Sequence, residues 1–411
     1  MPGNYYIPYE QALKLVLENA PTMPSQRVHL LEALGRVLAT DVRATRDNPP
    51  ERVSAMDGYG VCIENLKELP TKLKIVGEIP AGVVPRLRVE KDTAVKLFTG
   101  SIIPPGCDAV IPVECAKENN GELTIEKIPR KGENIREKGE DYREGDIILK
   151  KGEIITPAEM GILASINKSI IKVSVKPRVG IITTGNEIVE LGESLEKPSQ
   201  IINSNAYTLY GLVKEAGGEP LYLGVCPDSK EKTKEKLEEA LNLCDIVLTS
   251  GGVSAGNYDF VKEVIEELGI KRIFYKIRVK PGKPLLFGKK GKKFLFALPG
   301  FPVSTVVSFL NFVFPFIRKA LGANEIFKKR VKATLKKSFR RGKADRLEFA
   351  RCKLSYDLEK GCYFALPSKR QGSGILSELK GNTGLMVIPV GIRELKEGSQ
   401  VEVILLKEGI C

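Results

Sequence analysis

The chain has 411 residues, 42 % hydrophobic and 28 % charged, a soluble composition with room for roughly two to four domains. A single histidine, His29, and eight cysteines without a C-x-x-C pair nearly exclude imidazole catalysis and multi-histidine metal centres, and give no support to a zinc or redox motif. The net charge is +13, and Lys328 to Lys353 carries twelve Lys or Arg against Asp345 and Glu348, so most of it sits in one segment.

The N-terminus lacks a basic start followed by an apolar core, which points to a cytoplasmic protein without a leader. Residues 7 to 40 read as two helical stretches, YEQALKLVLENA and VHLLEALGRVLA, before Pro49 and Pro50 break the pattern. From about 51 to 150 short apolar runs are divided by Gly and Pro, which predicts an all-β unit. TPAEMGILASI, 156 to 166, returns to helical spacing, as if the β unit were inserted in a helical or mixed domain.

Pro177 opens another regime. RVGIITTG, PLYLGVC, DIVLTS, RIFYKIRV and KFLFALPG read as strands, alternating with helices at NAYTLYGLVKEAGG, DSKEKTKEKLEEALNLC, 257 to 268 and 302 to 320. That alternation predicts a doubly wound α/β domain. PVSTVVSFLNFVFPFI, 302 to 317, is short and interrupted by Ser, Asn and Pro, so it reads as a buried helix and not a membrane span. Past about 326 short strands return and predict a small β domain. The basic segment there has three readings: a nucleic-acid patch, solvated lysines on an edge strand, or a field that draws in a small anion.

In an open α/β sheet, ligands bind beyond the carboxyl ends of the strands. Those ends carry Thr184, Gly185 and Glu187; Asp228; Ser250, Gly251, Gly252, Ser254, Gly256 and Asp259; Lys276, Lys280 and Lys283; and Pro299, Gly300 and Pro302. Glycines let backbone amides approach a phosphate. Lysines neutralise an oxyanion, and Asp228 with Asp259 suits Mg²⁺. Each piece alone also fits a cap, a turn or a solvated rim. Together they describe a phosphate-ester or phosphoanhydride site. The spacing of TSGGVSAGNYDF matches neither a dinucleotide nor a Walker fingerprint.

The ordered set SAMDGYG, FTGSIIPPGCDAVIPVE, GENIREKGED, TTGNEI, INSN, SGGVSAGNYD, KPGKP, LPGFPVS and RQGSGILSEL resembles the molybdopterin molybdotransferase family, which includes the E domain of gephyrin, over nearly the whole chain. The resemblance implies a homodimer with a discontinuous helical linking domain (1–46 and 144–176), an inserted β domain (47–143), an α/β molybdopterin-binding domain (177–325) and a C-terminal β-barrel-like domain (326–411). It implies cleavage of adenylylated molybdopterin, with molybdate or tungstate joining the dithiolene, AMP released and Mg²⁺ assisting. A molybdopterin adenylyltransferase is an implied partner; nucleic acid and membrane are not.

Carried over by motif, Asp57, Thr99 and Asp141 match functional positions expected to face the other subunit's α/β domain. Glu187, Asp228, Asp259, Lys276 and Lys280 match the cleft, and Arg346 and Ser373 match positions linked to the oxyanion. Asn186, Asn257 and Phe301 depart from the usual pattern. The competing functions on this fold are a molybdopterin adenylyltransferase and a non-enzymatic scaffold.

Overall fold

RVGIITT is apolar until its last two residues, and it forms the strand Arg178–Thr184, buried from Val179 onward. Near-continuous apolar runs of this kind belong to strands covered on both faces. The computed structural model describes residues 5–253, 260–381 and 383–407. Within them the strand is next to last in a seven-stranded sheet ordered Tyr5–Ile7, Lys271–Ile277, Leu286–Lys290, Lys293–Leu298, Ile246–Ser250, Arg178–Thr184 and Glu219–Cys226. All neighbours are parallel except those made by Leu286–Lys290, which runs antiparallel to both its partners. The strands preceding the site loops therefore end on one rim.

Two helices have sequence-encoded ends. Ser204–Ala216 starts at Asn203, whose Oδ1 accepts the Ala206 N–H at 3.2 Å, and stops at Gly217 in the left-handed region. Lys230–Leu243 starts at Ser229, whose hydroxyl accepts the Lys232 N–H. The apolar stretch Pro302–Ala320 is 19 residues long, long and apolar enough to cross a membrane, but almost all of it is buried in the protein. It is a core helix. A π-helical turn, Phe309–Val313, interrupts it just before Pro315, which has no N–H to give Asn311 and whose ring crowds that carbonyl.

One expectation needs correction. VHLLEALGRVLA is not a helix: Ser25–His29 is a strand paired with Ile170–Ser174, Leu30–Glu32 is a single 3-10 turn, and Val37 and Leu38 bridge to Ile154 and Val173. Gly35 takes φ +71° in the middle of the stretch, and strand pairing overrides a weak helical preference. The segment LLFGKK, to which the sequence pattern assigns no element, supplies the antiparallel strand Leu286–Lys290.

The chain divides into two compact units. One comprises Met1–Thr40, Lys151–Met160 and Ile170–Cys411, and the other Asp41–Lys150 with Gly161–Ser169. The first holds the α/β sheet, with helix Tyr9–Glu18 in its core through Tyr9 edge contacts to Phe312 and Phe349. It also holds a C-terminal barrel: Leu347–Asp357, Cys362–Pro367, Arg330–Leu335, Gln400–Leu405 and Thr383–Ile388 close on themselves because the last strand also pairs with the first. The second unit is built on a six-stranded sheet with its core around Tyr59, Val61, Leu73 and Leu123.

Candidate functional site

A cavity of ≈ 600 Å³ opens where the strands end, and ten of the predicted residues line it: Thr184, Gly185, Glu187, Asp228, Ser250, Gly251, Gly252, Pro299, Gly300 and Pro302. The turn after Ile246–Ser250 needs glycine for a stated reason. Gly251 and Gly252 take φ +99° and +69°, and a Cβ on Gly251 would stand 2.6 Å from Thr184 Oγ1. Two successive left-handed residues with no side chains leave the backbone of the turn open to the cavity.

Opposite this turn, Asn205 ties two walls together. Its Nδ2 donates to Ser250 Oγ at 2.8 Å and to the Gly300 carbonyl at 2.7 Å. Beneath it, the Asn203 amide donates to Thr183 Oγ1 and to the Tyr222 hydroxyl, each at 2.8 Å, and Tyr222 donates to Glu190. Burial, reinforced by Glu190, pushes the Tyr222 phenol far above its ordinary pKa, so this layer holds its protons. At the mouth, Asn186 and Asp228 exchange bonds: the Asp228 N–H donates to Asn186 Oδ1 at 3.1 Å, and the Asn186 N–H to Asp228 Oδ2 at 3.3 Å. That exchange gives the Asn186 departure a structural role, because an amide there leaves Asp228 the only carboxylate of the pair.

Buried polar atoms without partners are costly and call for an explanation. Two lie here: Thr184 Oγ1 and Asn205 Oδ1 are shut from solvent and make no hydrogen bond. Both belong to residues that line the cavity, so a bound molecule is the natural partner.

Three comparisons bear on this geometry. Models of the MoeA N-terminal region (domains I and II), a probable molybdopterin binding domain and the MoeA C-terminal region (domain IV) match residues 7–167, 180–319 and 332–406. The chain belongs to the MoeA family. A molybdopterin molybdenumtransferase of a Nostoc species is 35 % identical over 95 % of this chain and 92 % of its own length, and the Bacillus subtilis protein of that name is 32 % identical over 98 % and 94 %. A crystal structure of a molybdopterin biosynthesis MoeA protein from Pyrococcus horikoshii OT3 superposes with TM-score 0.83 at 34 % identity, covering 97 % of this chain and all of that one.

The other residues expected from the MoeA resemblance fall into three groups. Lys276, Lys280, Lys283, Arg346 and Ser373 are not part of the cavity lining. Lys276 and Lys283 sit over the rings of Tyr275 and Tyr6 at 4.9 and 5.2 Å. Lys280 pairs with the buried Glu348 at 2.9 Å, and Glu348 pairs in turn with the buried Arg341 at 3.3 Å. Val279–Lys280 adds in parallel to Leu347–Glu348 of the barrel, which pins the KPGKP turn there. Arg346 stands 3.6 Å from Asp345, and the Ser373 carbonyl accepts the Val303 N–H at the start of the core helix.

In the other unit, the Asp57 carboxylate accepts both the backbone N–H and the hydroxyl of Thr99 at 2.7 Å. Those two bonds hold Asp57 below the usual carboxylate range. Asp141 accepts from Asn48 Nδ2 at 2.8 Å and does not join that pair. Ser254, Gly256 and Asp259 lie outside the described residues.

Much of the basic segment is tied up: Lys328 with Glu215, Arg330 with Glu402, Arg341 with Glu348, and Lys353 with Thr383 and a carbonyl. Lys328 and Arg341 are buried in these pairs, so that part of the segment is not a row of solvated charges. Among the described residues no three His, Cys, Asp or Glu side chains converge on a metal position. Glu187 and Asp228 on the cavity wall are nevertheless a donor set suited to Mg²⁺, which takes one or two carboxylates and completes its shell with water and phosphate. Sequence reading passed over Asn203 and Asn205. Both sit in the INSN motif, yet their roles depend on partners 19 to 95 residues away.

Proposed function

We propose that this transferase of the MoeA family holds adenylylated molybdopterin in the strand-end cavity, inserts molybdate or tungstate at the dithiolene and releases AMP. The observation that carries the reading is the cavity itself, with its glycine turn, its unpaired Thr184 and Asn205 atoms and its Glu187 and Asp228 wall. The open Gly251–Gly252 backbone suits phosphate oxygens. The orphan atoms suit the polar edges of the substrate, and the apolar wall suits its rings. Asp228, oriented by its exchange with Asn186, and Glu187 would hold Mg²⁺, which supplies charge neutralisation at the phosphoanhydride. The KPGKP lysines add positive charge beside the rim, with Lys280 oriented by Glu348.

A homodimer and delivery of the pterin by an adenylyltransferase belong to the same proposal. The adenylyltransferase alternative is disfavoured because MoeA-type regions flank the pterin-binding region on both sides. The scaffold alternative leaves the orphan polar atoms without purpose. The test is incubation with adenylylated molybdopterin, with and without molybdate or tungstate, following AMP. Oxyanion-dependent AMP release supports the proposal; consumption of ATP with molybdopterin and no oxyanion-dependent release overturns it.

A further inference from the structure

Phe301 lines the cavity yet is 64 % exposed. A large aromatic side chain left in water at a cavity mouth suggests a surface kept for a partner. Its backbone is held from both sides. The Phe301 carbonyl accepts the Thr305 N–H at 3.0 Å and its hydroxyl at 3.1 Å, that hydroxyl also donates to the Pro299 carbonyl at 2.6 Å, and Asn205 holds Gly300. The ring is therefore presented from a rigid turn.

Its surroundings leave the ring uncovered. A Cβ on Gly374 would lie 3.6 Å from it, in ordinary contact, but Gly374 carries no side chain to cover it. The same cavity is lined by Ile201, itself 54 % exposed, so the mouth presents two large apolar side chains to solvent. Nearby Asn205 Oδ1 lacks a partner while its Nδ2 is already committed twice. That oxygen can only accept, so the matching ligand edge must donate a hydrogen bond, as an amino-substituted ring does.

We infer that Phe301 is a stacking platform and specificity determinant for a planar, amino-substituted nitrogen heteroaromatic ring, with Asn205 Oδ1 receiving that ring's N–H. A saturated ring or a bare phosphate has no π face to stack on Phe301. The inference rests on the proposed function for its substrate class. Two parts of that substrate share the chemistry, the pterin and the adenine, and the experiment separates them.

The chain has no tryptophan, so 6-hydroxymethylpterin can be followed by its own fluorescence, and AMP by calorimetry. The full chain is compared with Phe301→Leu, which keeps apolar bulk without a π face, and Phe301→Tyr, which keeps the face. Stacking on an aromatic side chain changes affinity by about 5- to 150-fold. Expected is a loss in that range for one probe in the Leu variant, with the Tyr variant close to the original; the probe affected identifies the ring. Matching thermal midpoints establish that the exposed position leaves the fold intact. Affinity of the Leu variant unchanged from the original for both probes, or equal losses in the Leu and Tyr variants, overturns the inference. Absence of oxyanion-dependent AMP release from the unaltered chain would instead remove the proposed function and leave the ring-binding result standing.

Discussion

Replacing Glu348 with alanine tests how the KPGKP turn is built into the protein. Glu348 is 3 % exposed and lies between Arg341, 2 % exposed, and Lys280, 44 % exposed. Removing the carboxylate leaves the Arg341 charge buried without a counter-ion, a loss of about 3–5 kcal/mol for a broken buried pair. Arg341 keeps its bonds to the carbonyls of Ile392, Arg346 and Pro389, which places the expected value at the lower end. Lys280→Met removes a half-exposed partner, and solvent screening limits that loss to about 1 kcal/mol or less.

The assay is native-state hydrogen exchange on peptides of strand Leu347–Asp357, which reports local and sub-global opening. Glu348→Ala should lower protection by roughly a hundredfold or more, and Lys280→Met by about fivefold or less. Adding Arg341→Met to Glu348→Ala should restore much of the loss, since an apolar replacement removes the stranded charge. Equal effects of the two single changes, or no recovery in the double variant, would refute the reasoning.

The remaining predictions are more local. Gly251→Ala forces a φ of +99° on a residue with a Cβ that meets Thr184, at about 1–2 kcal/mol for the backbone alone. Substrate affinity should fall sharply, and an affinity unchanged from the original chain would reject the glycine requirement. For Asp57, the two Thr99 bonds depress the carboxyl from its ordinary value of 3.8. Their contribution is present above that value and lost as pH falls through the depressed one. Thr99→Val keeps the backbone donor and loses the hydroxyl, so the Asp57 titration followed by NMR should move up toward 3.8; an unmoved titration rejects the assignment. Burial pushes the Cys107 and Cys352 thiols up to about 12, while Cys115 is exposed. Peptide mapping after brief alkylation should find Cys115 modified in the native protein, and the other two only after unfolding.

The α/β core was legible because its strands are continuous apolar runs ending in polar, glycine-rich turns, so the rim could be read strand by strand. Thr184, Gly251, Gly252 and Pro299 line the cavity for that reason. What stayed hidden depends on long-range pairing. Leu286–Lys290 has no clear strand pattern because Gly288 and two lysines weaken it, yet it fits between two strong strands. VHLLEALGRVLA has helical spacing, but pairing with Ile170–Ser174 decides its conformation. Glu348 could not be singled out within a basic segment, since its importance comes from a partner turn about 70 residues earlier. Of the expected cations, the KPGKP lysines and Arg346 do not line the cavity, a distinction that motif position does not carry.

The most direct measurement of the central claim is AMP release from adenylylated molybdopterin by the unaltered chain and by Asp228→Ala, with substrate binding followed in the same samples. The account predicts molybdate- or tungstate-dependent AMP release by the unaltered chain, and bound substrate with release strongly reduced in the variant. Undiminished release by Asp228→Ala, or release that ignores the oxyanion, would contradict it.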